Sequence, residues 1–207
     1  CGFVGRCSLP LLVDTRTETI VSNESKDIVR MLRTMSACID LTPSKTKAEG
    51  EEMEELSDYI YTKINNGVYR CGFSSKQGAY DKAIEDVFSG WERLDGVLAS
   101  KTFLMGEKIS EADVFLLPTA VRFDAIYHAF FKCGRTTISS GYPHVARWMA
   151  DMHRIPGVRT CFDLDDAKRS YYEQLFPLNP SCIIAATQEA PLRDMLASTQ
   201  ESEEFAA

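Results

Sequence analysis

Ser22-Asn23-Glu24-Ser25 is the first run of residues whose types and spacing suggest chemistry. It lies where the β-branched segment Thr19-Ile20-Val21 ends and where Ile28, Val29, Leu32 and Met35 begin to recur at helical spacing. A helix opening at Glu24 presents unsatisfied N–H groups and the positive end of its dipole, which suits a carboxylate. Ser25 adds a hydroxyl donor, and Glu24 adds an anion able to accept from an ammonium group. The combination fits one end of a zwitterion. On local chemistry alone a plainer reading stands ahead of it: Ser22 or Asn23 caps the helix and Glu24 favours its dipole. Upstream, Leu9-Pro10 heads a short apolar segment, a placement that implies an edge strand or a cis peptide bond. A cis bond would turn the Leu9 backbone outward, free to pair with an extended peptide ligand.

The remaining reactive side chains exclude more than they propose. Seven cysteines, at 1, 7, 38, 71, 133, 161 and 182, form no C-x-x-C pair, so neither a disulfide framework nor a zinc cluster fits. His128, His144 and His153 show no H-E-x-x-H or H-x-x-x-H spacing, and the reading is of no metal. Reduced thiols without a targeting segment imply the cytoplasm.

Stepping outward to the elements that position these groups, Leu9 to Val13 and Thr19 to Val21 flank a polar five-residue loop and read as a β-hairpin. The order is strand, hairpin, strand, helix. Residues 39–52 are polar, lack apolar periodicity and read as a linker. Everything beyond reads as helical. Met53, Leu56, Ile60 and Ile64 recur at spacings of three and four, as do Tyr80, Ile84, Val87, Trp91, Leu94 and Leu98. Ser110 and Asp113 have capping-box spacing, flanked by the staple pair Ile109 and Val114. The helix that follows, apolar nearly all round from Val114 to Phe123, is predicted to be a buried axis. Further helices are predicted within 145–154 and 158–172, followed by an acidic tail over 181–207.

The composition is that of a folded chain: 207 residues, 44% hydrophobic and 26% charged. Thirty acidic residues against 23 basic ones give a net charge of −7, which argues against nucleic acid as a partner. No apolar run approaches the roughly 20 residues of a membrane-spanning helix. The chain opens on Cys1 rather than Met and reads as processed or incomplete.

Several blocks carry a family resemblance. Leu-Pro-Leu-Leu-Val-Asp (9–14), Thr-Ile-Val-Ser-Asn-Glu-Ser (19–25), Ile-Asn-Asn-Gly-Val-Tyr-Arg-Cys-Gly-Phe (64–73), Arg-Phe-Asp-Ala-Ile-Tyr (122–127), Phe-Lys-Cys (131–133) and Asn-Pro (179–180) resemble the glutathionyl-hydroquinone reductases. These are xi-class, omega-like glutathione transferases. The resemblance implies an α+β fold: the second half of a thioredoxin-like glutathione-binding domain (1–38), the linker (39–52) and an all-helical transferase domain (53–180). It implies glutathione as co-substrate, a quinone-type conjugate as the other partner, and a homodimer. Leu9 and Pro10 match positions that pair with the cysteinyl part of glutathione, and Glu24 and Ser25 match the γ-glutamyl pair. Tyr61 matches a tyrosine facing the active site, and Tyr171 a second pocket tyrosine. Two departures stand out: Val13 replaces a tryptophan, and Asp166, Ser170, Tyr171 and Tyr172 stand where the family has H-x-x-x-H-Y-Y. The family's nucleophile is a cysteine in a C-P-W-A-like motif well before the cis-proline. Only nine residues precede Pro10, and neither Cys1 nor Cys7 starts a helix, so the expectation is that the catalytic cysteine is absent and this chain inactive. An alternative reading is a non-catalytic binding or dimerisation module built on the same fold.

Overall fold

The computed structural model describes residues 9–33, 41, 46–175, 177–187 and 194. Cys1, Cys7, Cys38 and residues 188–193 and 195–207 of the acidic tail lie outside these described residues. The chain divides between Thr42 and Pro43 into two compact units.

The first unit follows the predicted order. Strand β1 (Leu12–Asp14) pairs antiparallel with β2 (Thr19–Ser22), and α1 (Ser25–Arg33) follows. The Leu9–Pro10 peptide bond is cis. Asp14 Oδ1 accepts the N–H groups of Arg16 at 2.8 Å and Thr17 at 3.3 Å, which closes the hairpin loop. The Arg16 hydrogen bond, followed by those of Thr17, holds the Asp14 carboxyl below its usual value. The register shifts so that Leu12 faces Ser22 and Val13 faces Ile20, leaving Val21 as the extra residue on β2. None of the described residues of this unit is buried, and Leu11, Val13, Val21 and Leu32 are 42–47% exposed.

The second unit is helical. Its first helix, α2 (Lys47–Tyr59), begins inside the stretch read as a linker. Thr46 Oγ1 accepts the Glu49 N–H while Glu49 Oε2 accepts the Thr46 N–H, a reciprocal capping box. The opening turns are exposed, so no apolar period announced them; Met53 and Leu56 are the first to reach the core. A π-helical segment, Ile60–Asn65, carries α2 into α3 (Asn66–Gly72). The long α4 (Gln77–Leu98) buries Ile84, Val87, Trp91, Leu94 and Leu98 along one face, as their spacing predicts, while Tyr80 stays half-buried.

Helix α5 (Glu111–Arg122) starts at the predicted capping box. It is not buried all round: Pro118 is exposed, and Val114 and Leu117 are half-buried along an apolar groove of about 300 Å³ shared with Met149, Met152 and Phe162. Apolarity is visible in sequence, whereas what covers a given face is not. A second π-helical segment, Phe123–Tyr127, leads into α6 (His128–Phe130). Then come α7 (Ile138–Gly141), α8 (Pro143–His153) and, after a 3₁₀ turn, α9 (Leu164–Gln174). Asp163 caps α9 through its side chain. Trp91, Trp148, Phe88 and Phe123 are among the largest fully buried side chains of the core.

Ionic contacts brace α3 and the preceding π-helical segment against α4. Asp86 accepts from Lys63 Nζ at 2.6 Å and from Arg70 Nη1 at 3.2 Å. Burial pushes the Asp86 carboxyl up, but the hydrogen bonds and charges of Lys63 and Arg70 outweigh it and the net shift is downward. With the folded value below the unfolded one, the stabilisation is present above about pH 4 and is lost as pH falls through the lowered value. Asp86→Asn is expected to cost about 1 kcal/mol at neutral pH, a modest figure because the cations are partly exposed. Urea unfolding at pH 7 and at pH 3 checks this, since the variant should fall less between the two.

Candidate functional site

Three of the sequence blocks singled out above converge in the second unit. Tyr69 lies within the run 64–73 on α3, Tyr127 ends the run 122–127, and Phe131 opens the run 131–133. Tyr171 reaches them from α9. Its hydroxyl lies 2.6 Å from that of Tyr69 and 2.8 Å from that of Tyr127. The rings are close-set: Tyr127 stacks on Phe131 with centroids 5.2 Å apart and planes 2° from parallel, while Tyr171 meets Tyr127 edge-on at 5.5 Å.

The polar residues of those blocks hold the cluster in place. Asn65 donates to the Phe115 carbonyl at 2.8 Å and accepts from Thr119 at 2.7 Å, which fastens the first π-helical segment to α5. Asp124, itself buried, accepts the N–H groups of Ile138 and Ser139 at 2.6 and 3.0 Å and so caps α7. Gly72 is required by close approach, because a Cβ there would overlap the Phe131 ring. Asn179, of the Asn-Pro pair, donates to the Tyr172 carbonyl at 2.7 Å and to the Ile183 carbonyl at 3.0 Å, pinning the chain that leaves α9.

The electrostatics of the cluster decide its chemistry. Burial first, then the neighbouring phenols, pushes the Tyr127 hydroxyl far above the ordinary phenol range. Burial likewise raises Tyr171. Both stay protonated at neutral pH, so they are hydrogen-bonding groups rather than bases. Three hydroxyls carry three hydrogens, and the two bonds between them use two. One O–H is left to donate outward. Tyr127 is 2% exposed and Tyr69 40% exposed, so the spare donor falls on the Tyr69–Tyr171 side.

Residues 77–151 match the family described as glutathione S-transferase, C-terminal domain. The glutathionyl-hydroquinone reductase YqjG of Escherichia coli is 35% identical over 188 residues, covering 88% of this chain and 56% of that protein. Its glutathione-bound structure superposes with a TM-score of 0.81 at 35% identity, over 89% of this chain and 61% of that one. Glutathione transferase Xi 1 from Trametes versicolor superposes with a TM-score of 0.83 at 34% identity, over 92% of this chain and 67% of that one. The chain belongs to the Xi-class glutathione transferases. It spans a little over half the length of the curated relatives it matches.

Within this Xi-class member the predicted site residues fall as follows. Tyr171 lies at the centre of the hydroxyl cluster. Tyr61 is half-buried on the first π-helical segment, and the hydroxyls that meet Tyr171 are those of Tyr69 and Tyr127. Neither of these two is marked by its own spacing; the available signal is that each lies in a family-specific block. In the first unit Leu9 is 91% exposed, Pro10 and Glu24 are exposed and Ser25 is half-buried. Helix α1 opens at Ser25. The Glu24 carbonyl accepts from the Ile28 N–H at 3.0 Å, which puts the N-cap at Glu24 rather than at Ser22 or Asn23. Ser22 Oγ instead accepts the Glu24 N–H at 3.1 Å. Among the described residues, no group of three or more His, Cys, Asp or Glu is placed to hold a metal, and no helix is long and apolar enough to cross a membrane.

Proposed function

We propose that this chain carries the substrate-binding parts of a glutathionyl-hydroquinone reductase. The family reaction is thiol exchange: a cysteine thiolate takes glutathione from the carbon–sulfur bond of a glutathionyl-hydroquinone, the ring carbon gains a proton, and a second glutathione releases the first as the disulfide. The observation that carries the reading is the Tyr69–Tyr171–Tyr127 chain of hydroxyls, whose Tyr69 end is 40% exposed. A hydroquinone oxygen needs a donor, which a neutral phenol supplies. Tyr171 is the acceptor-site residue in this reading, with Tyr69 and Tyr127 orienting its hydroxyl and Tyr61 as a further candidate phenol.

The first unit supplies the glutathione end. The α1 N-terminus and the Ser25 hydroxyl receive the γ-glutamyl carboxylate, Glu24 receives the ammonium group, and Leu9 and Pro10 pair with the cysteinyl backbone. A reducing cytoplasm, where glutathione is held as the thiol, suits this chemistry. The same reading carries a homodimer.

Glutathione titrated into the purified chain tests the assignment. Glu24→Ala is expected to weaken binding about tenfold, the loss of one charge-assisted hydrogen bond. Unchanged affinity would remove Glu24 from the site.

A further inference from the structure

One cleft of the helical unit is lined by cations, in a chain whose net charge is −7. It encloses about 540 Å³ where α3 gives way to α4, within the roughly 300 to 1,000 Å³ of ligand pockets. Arg70, Phe73, Ser74, Ser75, Lys76 and Lys82 line it, and no acidic residue is among the described residues of its wall. None of Tyr69, Tyr127 and Tyr171 lines it either, so it is distinct from the hydroquinone site proposed above.

The three cations differ in what they meet. Arg70 is committed to the fold: Nη1 donates to Asp86 at 3.2 Å and Nη2 to the Thr62 carbonyl at 3.0 Å. Lys76 and Lys82 are exposed, and among the described residues neither reaches a carboxylate. The acids nearest in sequence are engaged elsewhere. Asp81 accepts from the Gln77 side-chain amide at 2.7 Å, Glu85 pairs with Arg135 at 2.9 Å, and Asp86 holds Lys63 and Arg70. Two like charges facing one cleft repel, and an anion between them removes the repulsion. Helix α4 starts between them with no side-chain cap and no acidic residue in its first turn, so its dipole adds to the same field. The Ser74 hydroxyl donates to the Arg70 carbonyl at 2.6 Å, whereas that of Ser75, exposed, remains a donor for a ligand.

Phe73 supplies a surface of another kind. Its N–H closes α3 on the Tyr69 carbonyl at 2.9 Å, and its ring rests against Phe131 with centroids 5.8 Å apart, yet the residue is 53% exposed. A large ring left open beside two ammonium groups suits a flat ring that carries phosphate, because stacking and charge then act on one ligand. Two unpaired cations match two phosphoryl groups. We propose that this cleft binds a nucleoside diphosphate, with the base on Phe73 and the phosphoryl oxygens accepting from Lys76 Nζ, Lys82 Nζ and the Ser75 hydroxyl.

Calorimetric titration of the purified chain at low salt, separately with ADP, pyrophosphate and adenosine, tests the proposal. Pyrophosphate carries the two phosphoryl groups without the ring, and adenosine the ring without the charge. ADP is expected to bind about fivefold more tightly than pyrophosphate, adenosine not measurably, and added salt should weaken ADP. Lys76→Glu and Lys82→Glu should each weaken ADP and pyrophosphate about tenfold. Both side chains are exposed and unpaired, so the circular dichroism spectrum should not change. Phe73→Leu should bring ADP down to the affinity of pyrophosphate while leaving pyrophosphate unaltered. ADP binding no tighter than pyrophosphate in the parent, or ADP affinity unchanged in the two lysine variants, would overturn the proposal. The parent and lysine titrations decide the matter alone if Phe73→Leu fails to fold.

Discussion

Asp113→Ala is expected to destabilise the helical unit by about 3 to 5 kcal/mol, the largest stability effect of any single change considered. Asp113 is fully buried and its two oxygens serve four donors. Oδ2 takes the Ser110 N–H at 2.8 Å and the Ser110 hydroxyl at 2.6 Å; Oδ1 takes the Leu104 N–H at 3.0 Å and the Trp148 indole N–H at 2.8 Å. One carboxylate thus caps α5, closes the connection before it and anchors α8. Burial pushes the Asp113 carboxyl up despite these four donors, so the site is too dry for water to replace what the mutation removes. The cap alone is worth about 1 to 2 kcal/mol, and each stranded buried donor adds a further ~1 kcal/mol or more. Asp113→Asn should cost roughly half as much, because it keeps an oxygen for Leu104 and Trp148 while turning an NH₂ toward the Ser110 N–H. Urea unfolding followed by circular dichroism measures both, and an alanine variant within about 1 kcal/mol of the parent would contradict the four-donor account.

Tyr171→Phe is expected to act on stability and on binding together. It leaves the buried Tyr127 hydroxyl without its partner, at a cost of about 1 to 3 kcal/mol. It also removes the central link of the hydroxyl chain, and with it the orientation of the spare donor, so hydroquinone affinity should fall about tenfold. Tyr127→Phe separates the two effects. Tyr69 and Tyr171 remain hydrogen-bonded at 2.6 Å in that variant, so affinity should fall less while the buried ring stays in place. Thermal unfolding and calorimetric titration of hydroquinone check the pair of variants. Equal affinities for the parent and Tyr171→Phe would remove Tyr171 from the acceptor site.

What could be read ahead of the structure depended on sequence distance. The Ser110–Asp113 capping box was legible because its partners are three residues apart. The same carboxylate's bonds to Leu104 and Trp148 were not, since those donors lie 9 and 35 residues away. The core stripe of α4 was visible as a period. The first turns of α2 were not, because exposed helical turns carry no apolar repeat. The exposed side of α5 is not legible for a related reason: Val114, Leu117 and Pro118 are apolar whether or not anything covers them. Tyr69 and Tyr127 carry no local signal of their role, because the Tyr171 hydroxyl that joins them lies 102 and 44 residues along the chain. The family blocks nonetheless marked the place, since Asn65, Gly72 and Asp124 are the residues whose hydrogen bonds or lack of a side chain hold the cluster in shape.

The central claim is that neutral phenols of the helical unit receive a hydroquinone through a hydrogen bond to its oxygen. Nuclear magnetic resonance titration of the tyrosine-labelled chain with hydroquinone, and separately with its dimethyl ether, tests it most directly. The ether keeps the ring and two acceptor oxygens but cannot donate. The account predicts saturable shifts at the Tyr69, Tyr127 and Tyr171 rings with hydroquinone, retained but weaker with the ether, and lost for hydroquinone in Tyr171→Phe. Saturable binding that leaves those three rings unmoved would contradict it.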